Sequence, residues 1–218
     1  MLKKIRTLGS RVSINILIVS FLIAAPSYAS IPGEEEFTKG ADYYKKKMYD
    51  KAAEEFANAI TKNPGLAEAY VGRGISYFKL KKFDDAISDY TKSIKINPNS
   101  SDAYYNRGAA YHEKGDLDRA IADYTKAIEI NPKYFQAYYN RGNVYHNKRE
   151  FDQAISDYTM AVKVNPTFAD AYHNRALVYF LKLDYSRSAE DISKAQVLGY
   201  EVNKEFLKEL RKASEKRK

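Results

Sequence analysis

The chain of 218 residues contains no cysteine. That absence excludes a disulfide framework, a thiolate zinc site, a cysteine nucleophile and a lipid-modified N-terminal cysteine. It leaves the compartment open, because a protein without thiols is at home in any redox environment. Strand-like alternation is missing, so no sheet is expected. Also missing is an apolar run long enough to span a bilayer. The run at residues 14–25, broken only by Asn15 and Ser20, reaches about 18 Å as a helix, against a hydrocarbon core of about 30 Å. The chain further lacks any Ser/His/Asp, paired-carboxylate or phosphate-loop arrangement, so neither an enzyme nor a cofactor is expected.

A basic surplus on the body of the chain is absent as well. The net charge is +8, but Lys3, Lys4, Arg6 and Arg11 stand in the leader with no acid beside them. The tail at residues 203–218 holds seven bases against three acids, which leaves residues 30–202 neutral. A surface that tracks phosphates needs its cations on the binding face, so nucleic acid is not an expected partner.

The leader has a pattern of its own. Its four bases precede the apolar run, Pro26 follows, and Ser27-Tyr28-Ala29 puts small residues at the two places a signal peptidase reads. Charged, then apolar, then small is the order of a secretory signal peptide. The expectation is cleavage near Ala29, export to the periplasm or beyond, and no stable membrane span afterwards. An uncleaved anchor is the rival, and Arg11 limits how far the run can extend backwards.

What the chain does have is a period. Tyr104-Tyr105-Asn106-Arg107-Gly108 returns thirty-four residues later as Tyr138-Tyr139-Asn140-Arg141-Gly142, with looser echoes at residues 70–74 and 172–176. A fixed period of this length marks an array of one small unit. After a lead-in at 30–33, five repeats follow at 33–66, 67–100, 101–134, 135–168 and 169–202. Tyr43, Tyr77, Tyr111, Tyr145 and Tyr179 hold the eleventh place. Ala52, Ala86, Ala120 and Ala154 hold the twentieth, with Ser188 in the last repeat. Phe56, Tyr90, Tyr124 and Tyr158 hold the twenty-fourth, followed by Ile192, and Pro64, Pro98, Pro132 and Pro166 close the first four repeats.

Each repeat reads as two helices. In the third, Tyr104, Arg107 and Tyr111 fall at three- and four-residue steps, which is one helical face. Gly115 offers a helix end and Asp116 an N-cap for the next helix. Leu117, Ala120, Ile121, Tyr124 and Ile128 then line a second helix until Asn131-Pro132 stops it. Gly74, Gly108 and Gly142 allow close approach of paired helices, which must return more than the roughly 1 kcal/mol that a helical Gly costs against Ala. Beyond the array, Phe206, Leu207 and Leu210 mark one side of a capping helix with a basic tail over 203–218. Its apolar stripe is too short to favour a membrane surface.

Small residues at places eight, twenty and twenty-seven, aromatics at four, eleven and twenty-four, and a terminal Pro resemble the tetratricopeptide repeat (TPR). The resemblance covers 170 of the 218 residues without insertion. It implies an all-α fold: a right-handed α-solenoid of antiparallel helix pairs, here five units and a C-terminal capping helix. The departures fall at the ends, with Glu36 in place of Tyr, Ala176 in place of Gly and Tyr200 in place of Pro, as terminal units facing solvent allow.

A charge pattern is superposed on the packing pattern. Lys39, Arg73, Arg107, Arg141 and Arg175 hold place seven, and Glu55, Asp89, Asp123, Asp157 and Asp191 hold place twenty-three. Base and acid change together in the first repeat and keep their signs, so a salt bridge between helices is expected in all five, within a repeat or to its neighbour.

The resemblance further implies that ligands lie on the concave face of the first helices. Its places there give Tyr105, Asn106, His112 and Glu113 in the third repeat, and Tyr139, Asn140, Asn143, His146 and Asn147 in the fourth. The fifth gives His173, Asn174, Leu177 and Phe180, and the second is drier, with Val71, Ile75 and Phe78. Asn106, Asn140 and Asn174 form a ladder of amides that can read peptide backbone, with Tyr105 and Tyr139 adding apolar contact. The bland alternative is that these Asn bond between helices. The family's carboxylate clamp is missing its cations, since the required places hold Val71, Ile75, Gln136 and Asn140, or Tyr105, Ala109, Asp170 and Asn174. His112 and His146 share place twelve, but His173 stands apart and a zinc site wants three or four ligands, so no metal is expected. The leading function is an exported scaffold or adaptor that binds a protein or peptide segment. A glycan- or cell-wall-binding module is the alternative, and self-association through convex or end surfaces a third reading.

Overall fold

A computed structural model describes residues 31–215. The leader with its cleavage point near Ala29, and the end of the basic tail, lie outside the described residues. The described residues form eleven α-helices and no strand, in two compact bodies that part between Ile130 and Asn131. The first body holds α1 (Glu34–Lys45), α2 (Tyr49–Lys62), α3 (Ala67–Lys79), α4 (Phe83–Ile96), α5 (Ser101–Glu113) and α6 (Leu117–Ile130). The second holds α7 (Phe135–Asn147), α8 (Phe151–Val164), α9 (Ala169–Leu181), α10 (Tyr185–Val197) and α11 (Lys204–Glu215). Each first helix packs along the second helix of its own repeat, so the fold is the all-α array of helix pairs that the periodicity predicts. No helix among the described residues is long and apolar enough to cross a membrane.

The helix ends follow from local chemistry. Asp116 caps α6 by accepting from the Arg119 N–H at 3.2 Å, and Asp184 caps α10 by accepting from Arg187 at 3.1 Å. The side-chain carbonyls of Asn97, Asn131 and Asn165 each accept from the N–H two residues on, which folds the chain into the next repeat. Gly115 takes the left-handed conformation at φ 80°, as a helix-ending Gly should. Lys47, Lys81, Arg149 and Leu183 take the same conformation at the same place. That costs about 1 kcal/mol for a residue with a Cβ, so the turn is imposed by the helix pair and not by glycine.

The pairs close on an aromatic ring. A Cβ added at Gly74 would lie 2.7 Å from the Tyr90 ring, and one at Gly142 would lie 2.8 Å from the Tyr158 ring. The fifth repeat carries a Cβ at this place, Ala176, and there the ring is replaced by Ile192 in the same core cluster. Glycine and ring are therefore one packing unit.

The second helices are tied to the first by forked ion pairs. Arg73 donates to both Asp89 oxygens at 2.8 Å, and Arg107 does the same to Asp123. Arg141 holds Asp157 at 2.8 and 2.7 Å, and Arg175 holds Asp191 at 2.7 Å twice. Every one of these is within a single repeat. The bonds to Asp89 hold the Arg73 guanidinium above its ordinary range. Each of these arginines also lies between two tyrosines, as Arg107 does at 5.6 Å from the Tyr104 ring and 6.0 Å from that of Tyr111. Arg107 and Arg175 reach back to Thr91 and Thr159 of the preceding repeat at 3.1 and 2.9 Å. The first repeat departs from the expected pattern. Lys39 bonds Glu35 at 2.6 Å and meets Glu55 only as a nearby charge, because an ammonium cannot fork across the helix pair.

At the end of the second body, α11 lays Leu210 on Ala176 and Ile192, with Phe206 edge-on to Phe180 at 5.2 Å. In the first body, Gly74→Ala should cost about 1–3 kcal/mol of stability through overpacking. The cost should shrink when Tyr90→Ile is introduced with it, a coupling that urea denaturation of the four variants in the cycle would measure.

Candidate peptide-binding site

In the first body the proposed contact residues lie on α5. Tyr105 is only 1% exposed, with its ring against Tyr124 at a centroid distance of 5.8 Å. Asn106 is buried and its Oδ1 finds no hydrogen-bond partner. His112, six residues further, is half-buried, and burial pushes its pKa down. On the second repeat, Ile75 belongs to the core with Tyr90, while Val71 and Phe78 remain partly open.

The second body carries the richer arrangement. Tyr139 is 4% exposed and sits between Phe168, edge-on at 4.8 Å, and Tyr158 at 5.9 Å. Asn143 is buried, and its Oδ1 accepts from the Tyr158 hydroxyl at 2.7 Å and from Asn174 Nδ2 at 3.0 Å. Asn174 also donates to the Tyr139 hydroxyl at 3.0 Å. Burial drives the Tyr139 hydroxyl well above the usual phenol range. Asn140 is buried, whereas His146 and Asn174 are half-buried and Asn147 is exposed. The amides of the fourth and fifth repeats are thus bonded to each other directly, and each also bonds a tyrosine of the fourth repeat. The bonding between helices that the sequence left as an alternative is present here, and the Asn143 Nδ2 still lacks a partner.

Sequence reasoning did not foresee the Tyr158 hydroxyl in this network. A signal existed. Place twenty-four is Phe56 in the first repeat but Tyr158 in the fourth, where place nine is Asn143. Tyr90, whose repeat carries Ile75 at place nine, has no hydroxyl partner. Phe168 and Tyr200 were likewise hidden, because both lie in connections outside the helical register.

His173 is not presented to solvent. It is 6% exposed and stacked on Tyr200 at 4.3 Å, with Phe206 of α11 edge-on at 6.4 Å. Its Nδ1 has no partner, and burial alone lowers its pKa to about 4. Among the described residues no group of His, Cys, Asp or Glu could hold a metal ion. The histidine has a measurable consequence. Above pH 6.5 it is neutral in both folded and unfolded chains, and as pH falls towards 4 the unfolded chain takes the proton first. Stability should therefore decline across that window, by roughly 3 kcal/mol from this group. Melting temperatures recorded between pH 7 and 4.5 should fall less steeply for His173→Phe than for the natural chain.

The comparisons bear on the fold and its family. A TPR repeat model matches residues 74–115 and 110–148, and a tetratricopeptide repeat model matches residues 135–168. No curated protein matches by sequence. Among solved structures, MamA is 27% identical, with a TM-score of 0.68 over 79% of this chain and 96% of that one. The first TPR of Spaghetti (RPAP3), bound to the HSP90 peptide SRMEEVD, is 28% identical with a TM-score of 0.53, covering 54% of this chain and 94% of that one. PilF of Pseudomonas aeruginosa shares the fold at 14% identity, with a TM-score of 0.73 over 78% of each chain. With helix pairs, glycine-ring contacts and matched models in agreement, residues 74–168 are tetratricopeptide repeats and the chain has the fold of TPR proteins.

Proposed function

We propose that the protein is a scaffold or adaptor, not an enzyme, that binds an extended peptide or protein segment along the first helices of its repeats. The observation that carries this reading is the contrast between two sets of buried polar groups. The Arg–Asp forks are satisfied on both sides. On the first helices, Asn106 Oδ1 and Asn143 Nδ2 are not. A buried amide group without a partner costs about 1–3 kcal/mol. Both atoms are enclosed, so a peptide N–H or C=O would satisfy them when the amides turn outward on binding, and reading backbone in this way suits a partner of varied sequence. Asn174 is the accessible member of the network, and half-buried His146 lies in the same body. The Spaghetti repeat bound to a peptide supports the class of ligand.

The glycan reading needs an open ring face to stack on a sugar. Tyr105 and Tyr139, at 1% and 4% exposed, offer none, so the peptide reading is preferred. Export is part of the proposal and rests on the leader sequence.

Two measurements test it. A peptide selected by display against the chain should lose at least about tenfold in affinity with Asn174→Ala, and again when its own backbone is N-methylated, while circular dichroism of the variant stays unchanged. Affinity that ignores both changes would refute backbone reading. Separately, N-terminal sequencing of the protein recovered from its own cell envelope should begin at Ser30, and a start at Met1 would mean that the leader is kept.

A further inference from the structure

One buried titratable group takes no part in the amide network or in the ion pairs. His173 lies on α9, and the rings that cover it belong to the end of the chain. Its imidazole is stacked on Tyr200 at 4.3 Å and meets Phe206 edge-on at 6.4 Å. Tyr200 stands in the connection that leads into α11, and Phe206 stands in the first turn of α11 itself. The capping helix is thus what closes over the imidazole.

The cap is held more lightly than its neighbours. Of its side chains only Leu210 is buried, whereas each other helix of the second body buries four or more. A helix of 12 residues is not stable in water alone, so α11 depends on this narrow contact for its order. The neutral imidazole fits beneath it, because an enclosed Nδ1 can remain a bare lone pair. A proton added there becomes a charged donor with nothing to accept it, which is far more costly to enclose. The Tyr200 face attracts an imidazolium, but it stacks on the ring and gives Nδ1 no hydrogen bond.

The ionisable groups around His173 do not compensate. They are Asp170, three residues back on α9, Tyr200 and Glu201 in the connection, and Lys204 and Glu205 at the start of α11. On α7 there is Tyr139, whose hydroxyl feels both Asp170 and Tyr200. None of them moves the His173 titration, and burial alone lowers it to about 4.

We propose that His173 is an acid-sensitive latch: a proton on its imidazole releases α11 from the fifth repeat while the rest of the second body stays folded. Release admits water to Nδ1 and frees the ring from Phe206, and Tyr200 can keep its stack because it is not part of α11. What opens is the cluster of Ala176, Ile192 and Phe180 that α11 now closes. The helix pairs beneath do not need the cap, since the forks from Arg141 to Asp157 and from Arg175 to Asp191 are made between other helices. The sign is fixed by linkage. The uncovered form takes the proton first as pH falls, so acid favours opening, and above about pH 6.5 the latch is shut. The latch does not depend on the peptide reading.

Hydrogen exchange of the full chain tests it. With intrinsic rates corrected for pH, exchange of the α11 amides should rise roughly 30-fold between pH 7.5 and 5, while that of the α8 amides changes far less. The factor follows from an imidazole that titrates at its ordinary 6.5 when uncovered and at about 4 when covered. Stopping at pH 5 stays above the ordinary carboxylate range. In His173→Phe, which keeps an uncharged ring between Tyr200 and Phe206, the rise should vanish. In His146→Gln it should remain, because His146 meets Phe151 of α8 and not the cap. Three results would overturn the inference: α11 and α8 exchanging in step, a rise that survives His173→Phe, or one lost in His146→Gln. The first needs no variant, so it decides the question even where a variant fails to fold.

Discussion

In the first four repeats, an aromatic ring from the second helix packs directly against a glycine of the first, and the spacing of the pair follows from that contact. Because the helix axes come this close, a guanidinium on the first helix reaches a carboxylate on the second with both of its N–H groups. The ion pair is a consequence of the approach, and it fixes the rotation of one helix against the other. Where the ring becomes Ile192, the glycine becomes Ala176, and the fork between Arg175 and Asp191 is still made at 2.7 Å. Volume is exchanged across the contact and the separation is kept.

The same constraint decides which polar groups are free to act. Positions on the first helix that face its partner are filled or forked and have nothing to spare. Positions that face along the array carry amides and imidazoles, and these are only partly satisfied. Their burial explains why a ligand reader in this fold would be selective. A peptide would have to bring its own hydrogen-bond groups to that depth.

Much of the architecture was legible because packing in a repeat leaves a periodic trace. The helix pairs, the Asp116 cap, the stop after Ile130 and four of the five ion pairs could be read from spacing alone. The fifth failed for a chemical reason, since Lys39 has a single ammonium and a nearer acid in Glu35. The candidate site was less legible. The family resemblance implied a ligand-facing surface with Tyr105 and Tyr139 on it, but a ring of that size at a helix crossing is drawn into the crossing. Spacing also could not pair Tyr158 with Asn143, which lie fifteen residues apart on different helices.

Sequence by itself determined the repeat length, the helical class, the places of closest approach and the partition of charge between body and ends. Each of these depends on neighbours three, four or thirty-four residues away, and such distances are written directly in the chain. Only the tertiary structure decided which face of each first helix remains open. It joined Asn143, Asn174, Tyr139 and Tyr158 into one network, and it enclosed His173 between Tyr200 and Phe206. Exposure is a property of what covers a residue. In a stacked array the cover comes from the next repeat or the cap, at a depth that no single helix can specify.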